Sequence, residues 1–305
     1  MPTATIRPSF TATSTIRPGA PVPSTTRPFL ITTSNIFTLQ HQYETTFLVV
    51  TFAQTVRIDL AYKGTHFRGF AENPGVRTVG GELRSALEQI LGETVELTVA
   101  GRTDAGVHAT AQVVSFRTDS SRLNCERLVT ALNSICSPDI RVHAVTAVTD
   151  DFNARFSATE RMYHYAILNA PQADPLRADL EWHIPDPLNL DAMNQAGSLF
   201  LGEHDFTSFC RRPKGQPESS MIRRIRSAKW VPDTHERMHF EISANAFCHQ
   251  MVRSLTGFCV AVGSGKWDAQ TFEAVLKAKD RSAAPPIAPP HGLVLKQVTY
   301  GKVDQ

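Results

Sequence analysis

From Val56 onward the apolar residues change their spacing in a fixed order, and that order constrains the fold more than any other feature of the chain. Val56–Tyr62 alternates apolar and polar residues and reads as a strand. Leu83, Ala86, Leu87, Ile90 and Leu91 then recur at i, i+3, i+4, i+7 and i+8, an amphipathic helix stopped by Gly92. Val95, Leu97 and Val99 alternate within a strand Glu93–Ala100, and Gln112–Arg117 follows as another. Asn124 caps a helix carrying Leu128, Leu132 and Ile135, and Ile140–Val148 is again a strand. The order is β-α-β-β-α-β, and it returns. Met162–Leu168 is a strand, Met193, Ala196, Phe200 and Leu201 make a helical face, and Ile222–Trp230 and Met238–Ala244 pair as strands. Val252, Leu255, Cys259 and Val262 form one helical stripe, a further helix runs from about Asp268 to Lys279, and Leu293–Tyr300 closes as a strand. The expected fold is α+β: two ferredoxin-like halves, at 51–155 and 156–305, with helices packed on antiparallel sheets and a cleft between the halves.

Residues 1–50 are set apart. Thr-Ile-Arg-Pro at 5–8 recurs at 15–18 and Thr-Thr-Arg-Pro follows at 25–28, with further prolines at 2, 21 and 23. Such spacing excludes a stable helix and leaves too few large apolar residues for a core, so this stretch reads as a disordered extension. It resembles an organelle transit peptide in being poor in acids, but its prolines spoil the amphipathic helix such peptides need. A basic RNA-grazing arm and an extension from an early start are the other readings. The chain has no apolar run near the roughly 18 residues of a membrane helix, and the expectation is a soluble, cytoplasmic protein.

Charge says little about partners. The formal net charge is +2, and residues 1–48 carry Arg7, Arg17 and Arg27 against Glu44, so the remainder is balanced. Any nucleic-acid ligand would need a local basic cleft. The five cysteines (Cys125, Cys136, Cys210, Cys248 and Cys259) are odd in number and lack C-x-x-C spacing, which predicts free thiols in a reducing compartment. No set of His, Cys and Asp has recognised zinc spacing, and no metal is expected.

The run Gly101-Arg-Thr-Asp-Ala-Gly-Val-His108 places Asp104 in a turn bracketed by two glycines, just beyond a strand. Arg102 is positioned to approach the carboxylate and hold it ionised, and Thr103 to tie its hydroxyl to the turn backbone. A carboxylate presented in this way suits nucleophilic or electrostatic work on a sugar carbon. The bland alternative is an Asx-type turn capping local amides.

The eight-residue run resembles the signature of the tRNA pseudouridine synthase A family. Phe67-Arg-Gly-Phe70, Asp151–Ala158 with Arg161-Met-Tyr-His-Tyr165, Gly202–Phe209, Ala244–Arg253 and His291–Leu295 are similar to further family segments in the same order. The resemblance implies isomerisation of uridine to pseudouridine in the anticodon stem-loop of tRNA, on its 3′ side, without cofactor or metal. It implies that Asp104 attacks ribose C1′ or deprotonates C2′. Tyr163 would stack on the base and is a candidate for removing the C5 proton, with Tyr165 as its rival on the same strand face. Arg253 would pair with Asp104, and Leu293 would wall the pocket. It also implies base flipping and a homodimer sharing one tRNA, with neither DNA nor membrane as partner. Arg68, Arg211, Arg212, Lys214, Arg223 and Arg224, with Arg226, are the candidate phosphate contacts. Phe70-Ala71-Glu72 departs from the family's aromatic-plus-glutamine pair at this place and bears on the breadth of tRNA substrates. Two rivals stand beside this reading. A non-catalytic RNA-binding protein of similar fold lacks the expected aromatic signature, and a glycoside hydrolase would need a second positioned carboxylate.

Overall fold

The computed structural model describes residues 36–41, 44–49, 53–120, 122–212, 215 and 218–301. The chain divides into two compact units, Met1–Val50 and Thr51–Gln305. In the first, β1 (Ile36–His41) and β2 (Glu44–Val49) form an antiparallel hairpin with Ile36 opposite Val49. Of residues 1–50, expected as a disordered extension, only these two strands are among the described residues. Both segments mix Thr with Ile, Phe, Leu and Val, residues that fit a pleated strand. The Thr/Pro/Arg repeat at 5–28 lies outside the described residues.

The second unit begins with β3 (Gln54–Tyr62), α1 (Val79–Leu91), β4 (Thr98–Val99), β5 (His108–Thr118), α2 (Cys125–Ile135) and β6 (Ile140–Val148). Thr78 caps α1 by accepting from the Gly81 N–H, and Gly92 ends it at φ 77°. Asn124 caps α2 from its side chain, as its sequence position predicts. There follow β7 (Ala158–Asn169), β8 (Trp182–Ile184), α3 (Leu190–Ser198), β9 (Gly202–Asp205), β10 (Ile222–Pro232), β11 (Arg237–Ala244), α4 (Met251–Gly263), α5 (Thr271–Ala278) and β12 (Leu293–Tyr300).

The two halves share one topology. The main sheet runs β6-β3-β5-β12-β7-β11-β10-β9, with β4 also on β5 and β8 on β7. Numbered within each half, leaving aside the short β8 and β9, the strands lie in the order 4-1-3-2 in both, the ferredoxin-like arrangement. One apolar cluster runs through both halves, from Val56, Leu83 and Leu132 to Phe240, Leu255 and Leu295.

The seam between the halves positions the site. One edge of β5 pairs with β3 along its length, and the other edge is divided. At Val114 and Ser115 it takes β4, and at His108 and Ala109 it takes β12 in parallel. Only Thr98–Val99 pairs there, two residues of the expected strand Glu93–Ala100, and β12 takes the β5 edge beyond them. The chain leaving β4 therefore runs through the fork as the loop 100–107.

Candidate active site

The loop in the fork is held from both sides. The Phe70 N–H donates to the Thr103 carbonyl at 3.1 Å, and the Gly106 N–H donates to the Phe67 carbonyl at 3.3 Å. Gln112 Nε2 donates to the Gly101 carbonyl at 2.8 Å and to the Tyr62 hydroxyl at 3.1 Å. That leaves the Tyr62 proton for Thr103 Oγ1, 2.8 Å away. Thr103 is thus fixed by a side chain of β3, where the sequence suggested the turn backbone. His108 accepts the Gly64 N–H on Nδ1 at 3.0 Å, so its Nε2 carries the proton given to the His291 carbonyl at 3.1 Å. Burial lowers the His108 pKa, in keeping with a neutral ring that ties both halves to the loop.

Gly69 shows how closely the supporting turn approaches. Its φ is +98°, and a Cβ there would stand 2.9 Å from the Thr103 carbonyl oxygen. Gly69→Ala is accordingly expected to cost about 1–3 kcal/mol and to move the Asp104 loop. Denaturant melts and loop-sensitive amide exchange would check this; an unchanged midpoint and unchanged protection at 103–107 would refute it.

Asp104 emerges from this frame with its side chain 16% exposed. Arg253 Nη1 donates to Oδ2 at 2.8 Å, and His249 Nε2 lies 3.1 Å from Oδ1. Burial alone would raise the carboxyl's pKa, but the hydrogen bonds from His249 and Arg253 outweigh it, and the net direction is down. Asp104 is an ionised carboxylate at neutral pH. Arg253 is itself anchored: its Nε donates to the Ala288 carbonyl at 2.9 Å, and its own carbonyl accepts from the Ala288 N–H at 3.1 Å. It sits in the first turn of α4, the end of a helix that favours an anion.

Tyr163 faces the same loop from β7. A Cβ built on Gly101 would lie 3.4 Å from the Tyr163 hydroxyl, and Phe247 packs edge-on against its ring with centroids 5.2 Å apart. Among the described residues its hydroxyl makes no hydrogen bond. Burial first, and then the neighbouring Tyr62 and Asp104, push the phenol well above its ordinary value, so it is protonated. Tyr165, two residues on, is spent differently: it is fully buried and donates to the Pro289 carbonyl at 2.8 Å. Leu293 is buried opposite Tyr165 across the β12–β7 ladder.

The structure therefore gathers Asp104, Tyr163, Arg253 and Leu293 at the seam and, beyond Thr103, departs from the sequence reading at three further points. Arg102 is exposed and makes no ion pair with Asp104; the neighbour two residues away in the loop points outward while a helix of the other half supplies the cation. His249 was missed as a partner of the carboxylate, although it lies in the same Ala244–Arg253 run. The third departure is the pairing of Cys210 with Cys248 as a disulfide, with Cα atoms 5.8 Å apart, where free thiols were expected. Their separation of 38 residues carries no spacing signal. Cys125, Cys136 and Cys259 are free, as expected.

Arg161 was also not singled out. Buried and without a carboxylate, its guanidinium donates to the carbonyls of Ala100, Ala158, Asn245 and Arg155 at 2.6–3.2 Å. It fastens the strand that carries Tyr163 to the chain entering the Asp104 loop and to the chain leading to His249.

The candidate phosphate contacts are scattered over the rim. Arg68, Arg211 and Arg212 are exposed, and the Arg211 N–H bonds the His249 carbonyl at 2.9 Å. Arg223 turns back onto the carbonyls of Ser220 and Ile222, Arg224 lies 3.4 Å from Glu203 and Arg226 3.3 Å from Glu160. Lys214 lies outside the described residues.

Comparison with known proteins agrees with the motifs. The sequence profile described as tRNA pseudouridine synthase matches residues 60–157 and 196–301. A tRNA pseudouridine synthase A of Thermosipho melanesiensis is 38% identical over 243 residues, covering 80% of this chain and 98% of the relative. One of Corynebacterium glutamicum is 40% identical over 264 residues, covering 82% and 90%. One of Streptomyces griseus is 40% identical over 252 residues, covering 80% and 87%. With a loop of Gly-Arg-Thr-Asp in the fork of a duplicated ferredoxin-like sheet and matches of this extent, the chain belongs to the tRNA pseudouridine synthase family.

Proposed function

We propose that this chain isomerises uridine to pseudouridine in the anticodon stem-loop of tRNA, with Asp104 acting on the ribose and Tyr163 lying against the base. The observation that carries the proposal is an ionised, partly exposed carboxylate gripped by Arg253 and His249, near a phenol whose hydroxyl makes no hydrogen bond among the described residues. Two routes suit that carboxylate. In one it attacks C1′ and displaces uracil N1; in the other it takes the C2′ proton to give a glycal. The base then turns and its C5 bonds to C1′, expelling the Asp104 carboxylate in the first route and taking the C2′ proton back from Asp104 in the second; the C5 proton then leaves. A target base stacked in the anticodon arm must be flipped to reach the fork.

Tyr163 enters as a protonated phenol. Asp104's charge is one of the causes holding it so. Tyr163→Phe, which deletes only the hydroxyl, is expected to lower kcat while KM holds within about threefold. Tyr163→Ala, which also removes the ring, is expected to raise KM as well. Equal effects of the two variants on both parameters would assign the residue to packing alone.

Arg68, Arg102, Arg211 and Arg212 are proposed as phosphate contacts. Arg68 and Arg102 lie on or against the Asp104 loop, the Arg211 N–H bonds the His249 carbonyl, and Arg212 follows it in the chain with its side chain exposed. Arg223 and Arg224 already engage their own main chain and Glu203. Arg68→Ala and Arg211→Ala are each expected to reduce the slope of log K against log salt for tRNA by about 0.7–0.9, and Arg224→Ala by less. Filter binding across a salt series would check this, and equal slopes for all variants would remove these residues from the interface.

A homodimer in the cytoplasm is part of the same proposal, since one fork spans little of a tRNA; sedimentation of the free and tRNA-bound protein tests the dimer. No helix among the described residues is long and apolar enough to cross a membrane. The reaction itself is tested by tritium release from tRNA labelled at uridine C5, because only replacement of the C5 proton frees the label. Release in step with pseudouridine formation is expected, and binding without release would leave an RNA-binding protein only.

A further inference from the structure

On the sheet face opposite Tyr163 and Tyr165, strands β7 and β11 bring His164, His239 and Glu241 together. Glu241 is the direct ladder partner of His164, and His239 lies two residues before Glu241 on the same face. Glu241 Oε1 stands 3.5 Å from His164 Nε2 and 3.2 Å from His239 Nε2. The two rings stack with centroids 4.6 Å apart. All three side chains are largely buried, at 15–25% exposure.

A fourth residue fixes the protons. His239 Nδ1 lies 2.8 Å from Asp233 Oδ1. The ionised carboxylate only accepts, so Nδ1 carries a proton, and Nε2 is the ring atom turned to the Glu241 carboxylate.

We propose that His164, His239 and Glu241 bind a divalent transition cation of the zinc class, bridging β7 and β11 and leaving a coordination position open to solvent. Two imidazole nitrogens and a carboxylate oxygen suit that ion rather than magnesium. Bonds of about 2.0–2.2 Å in a tetrahedron put ligand atoms about 3.3–3.5 Å apart. The two edges at Glu241 are 3.5 and 3.2 Å, and all three ligand atoms lie within 4.8 Å of one another. The His239–Asp233 contact is the carboxylate–histidine pairing that commonly orients a metal-binding imidazole. Two cations oppose the ion. Lys229, 61% exposed, holds the other oxygen of Glu241 at 2.7 Å, and Lys296 acts on His164. Neither occupies the oxygen that faces the imidazoles. The bound ion would clamp the ladder at the register that presents Tyr163 on the reverse face, and it supplies no chemistry at Asp104.

The full chain, freed of metal by a chelator and then of the chelator, is titrated with zinc chloride against a chromophoric zinc indicator. One equivalent of tight uptake is expected, untouched by millimolar magnesium and accompanied by a rise in Tm of several degrees. His164→Gln with His239→Gln should abolish it, and Glu241→Gln should weaken it at least tenfold. Cobalt(II) in the wild-type chain gives a readout that needs no variant: tetrahedral d–d bands without a thiolate-to-metal charge-transfer band are expected. No uptake by the wild type, or a thiolate band, would overturn the proposal. So would uptake that survives the double histidine variant and disappears in Cys210→Ser/Cys248→Ser.

Discussion

Asp104→Asn is expected to lower kcat by about 10⁴-fold or more while tRNA binding stays near that of the parent chain. The substitution keeps the side-chain oxygen that accepts from Arg253 Nη1 at 2.8 Å and removes only the charge and the nucleophilic oxygen. Removal of a group that makes or breaks a bond in the reaction costs on this scale. The loop itself is held by Phe70, Phe67, Tyr62 and Gln112, none of which contacts the carboxylate, so its path is expected to persist. Arg253 loses its counter-ion, but one side of its guanidinium remains bonded to the Ala288 carbonyl, and a stability loss of only about 1–3 kcal/mol is expected. Single-turnover assays beside filter binding separate the two effects. A variant that binds poorly and also melts far below the parent would show that the charge matters for the fold more than for the reaction.

Arg253→Met is expected to be the most damaging change outside Asp104 itself. The pair is exposed by only 12% and 16%, so a carboxylate left with His249 alone is poorly compensated, at a cost of about 2–4 kcal/mol. A fall in kcat of about 10²-fold is expected in addition, because the carboxylate loses the group that orients it. The pH dependence carries a sign. In the parent chain the folded pKa of Asp104 lies below its ordinary value of about 3.9, so the pair's stabilisation is present above that value and is lost as pH falls through the folded pKa. In Arg253→Met the burial that raises the pKa remains while one of the two contacts that lower it is gone. The acid limb of the kcat profile is therefore expected to move to higher pH. Profiles of parent and variant that coincide between pH 4 and 7 would mean that Arg253 does not set the ionisation of Asp104.

How much of this could be read from the residues alone depends on the range of the signal. The alternation of Val56–Tyr62 and the helical spacing of Leu83 to Leu91 are local, and both elements are present, as are the caps at Gly92 and Asn124. Asp104, Tyr163 and Arg253 were visible through family segments. Nothing in the spacing could separate Tyr163 from Tyr165; only the Pro289 carbonyl, which takes the Tyr165 proton, tells them apart. Arg102 was misjudged because nearness in sequence was taken for nearness in space. The true partners arrive from α4 and the segment before it, 145 and 149 residues on, and no rule of spacing reaches so far. The division of the β5 edge between β4 and β12, which makes the fork, depends in the same way on pairing between halves. Cys210 with Cys248, and His164 with His239 and Glu241, meet only because distant segments or neighbouring strands bring them together.

The central claim is that the carboxylate in the fork isomerises uridine in the anticodon arm. The most direct test is to incubate the purified chain and its Asp104→Asn variant with an unmodified tRNA transcript and map pseudouridine by chemical probing at single-nucleotide resolution. The account predicts modification of uridines on the 3′ side of the anticodon stem-loop by the parent chain and none by the variant. Equal modification by both proteins, or free uracil in place of pseudouridine, would contradict it.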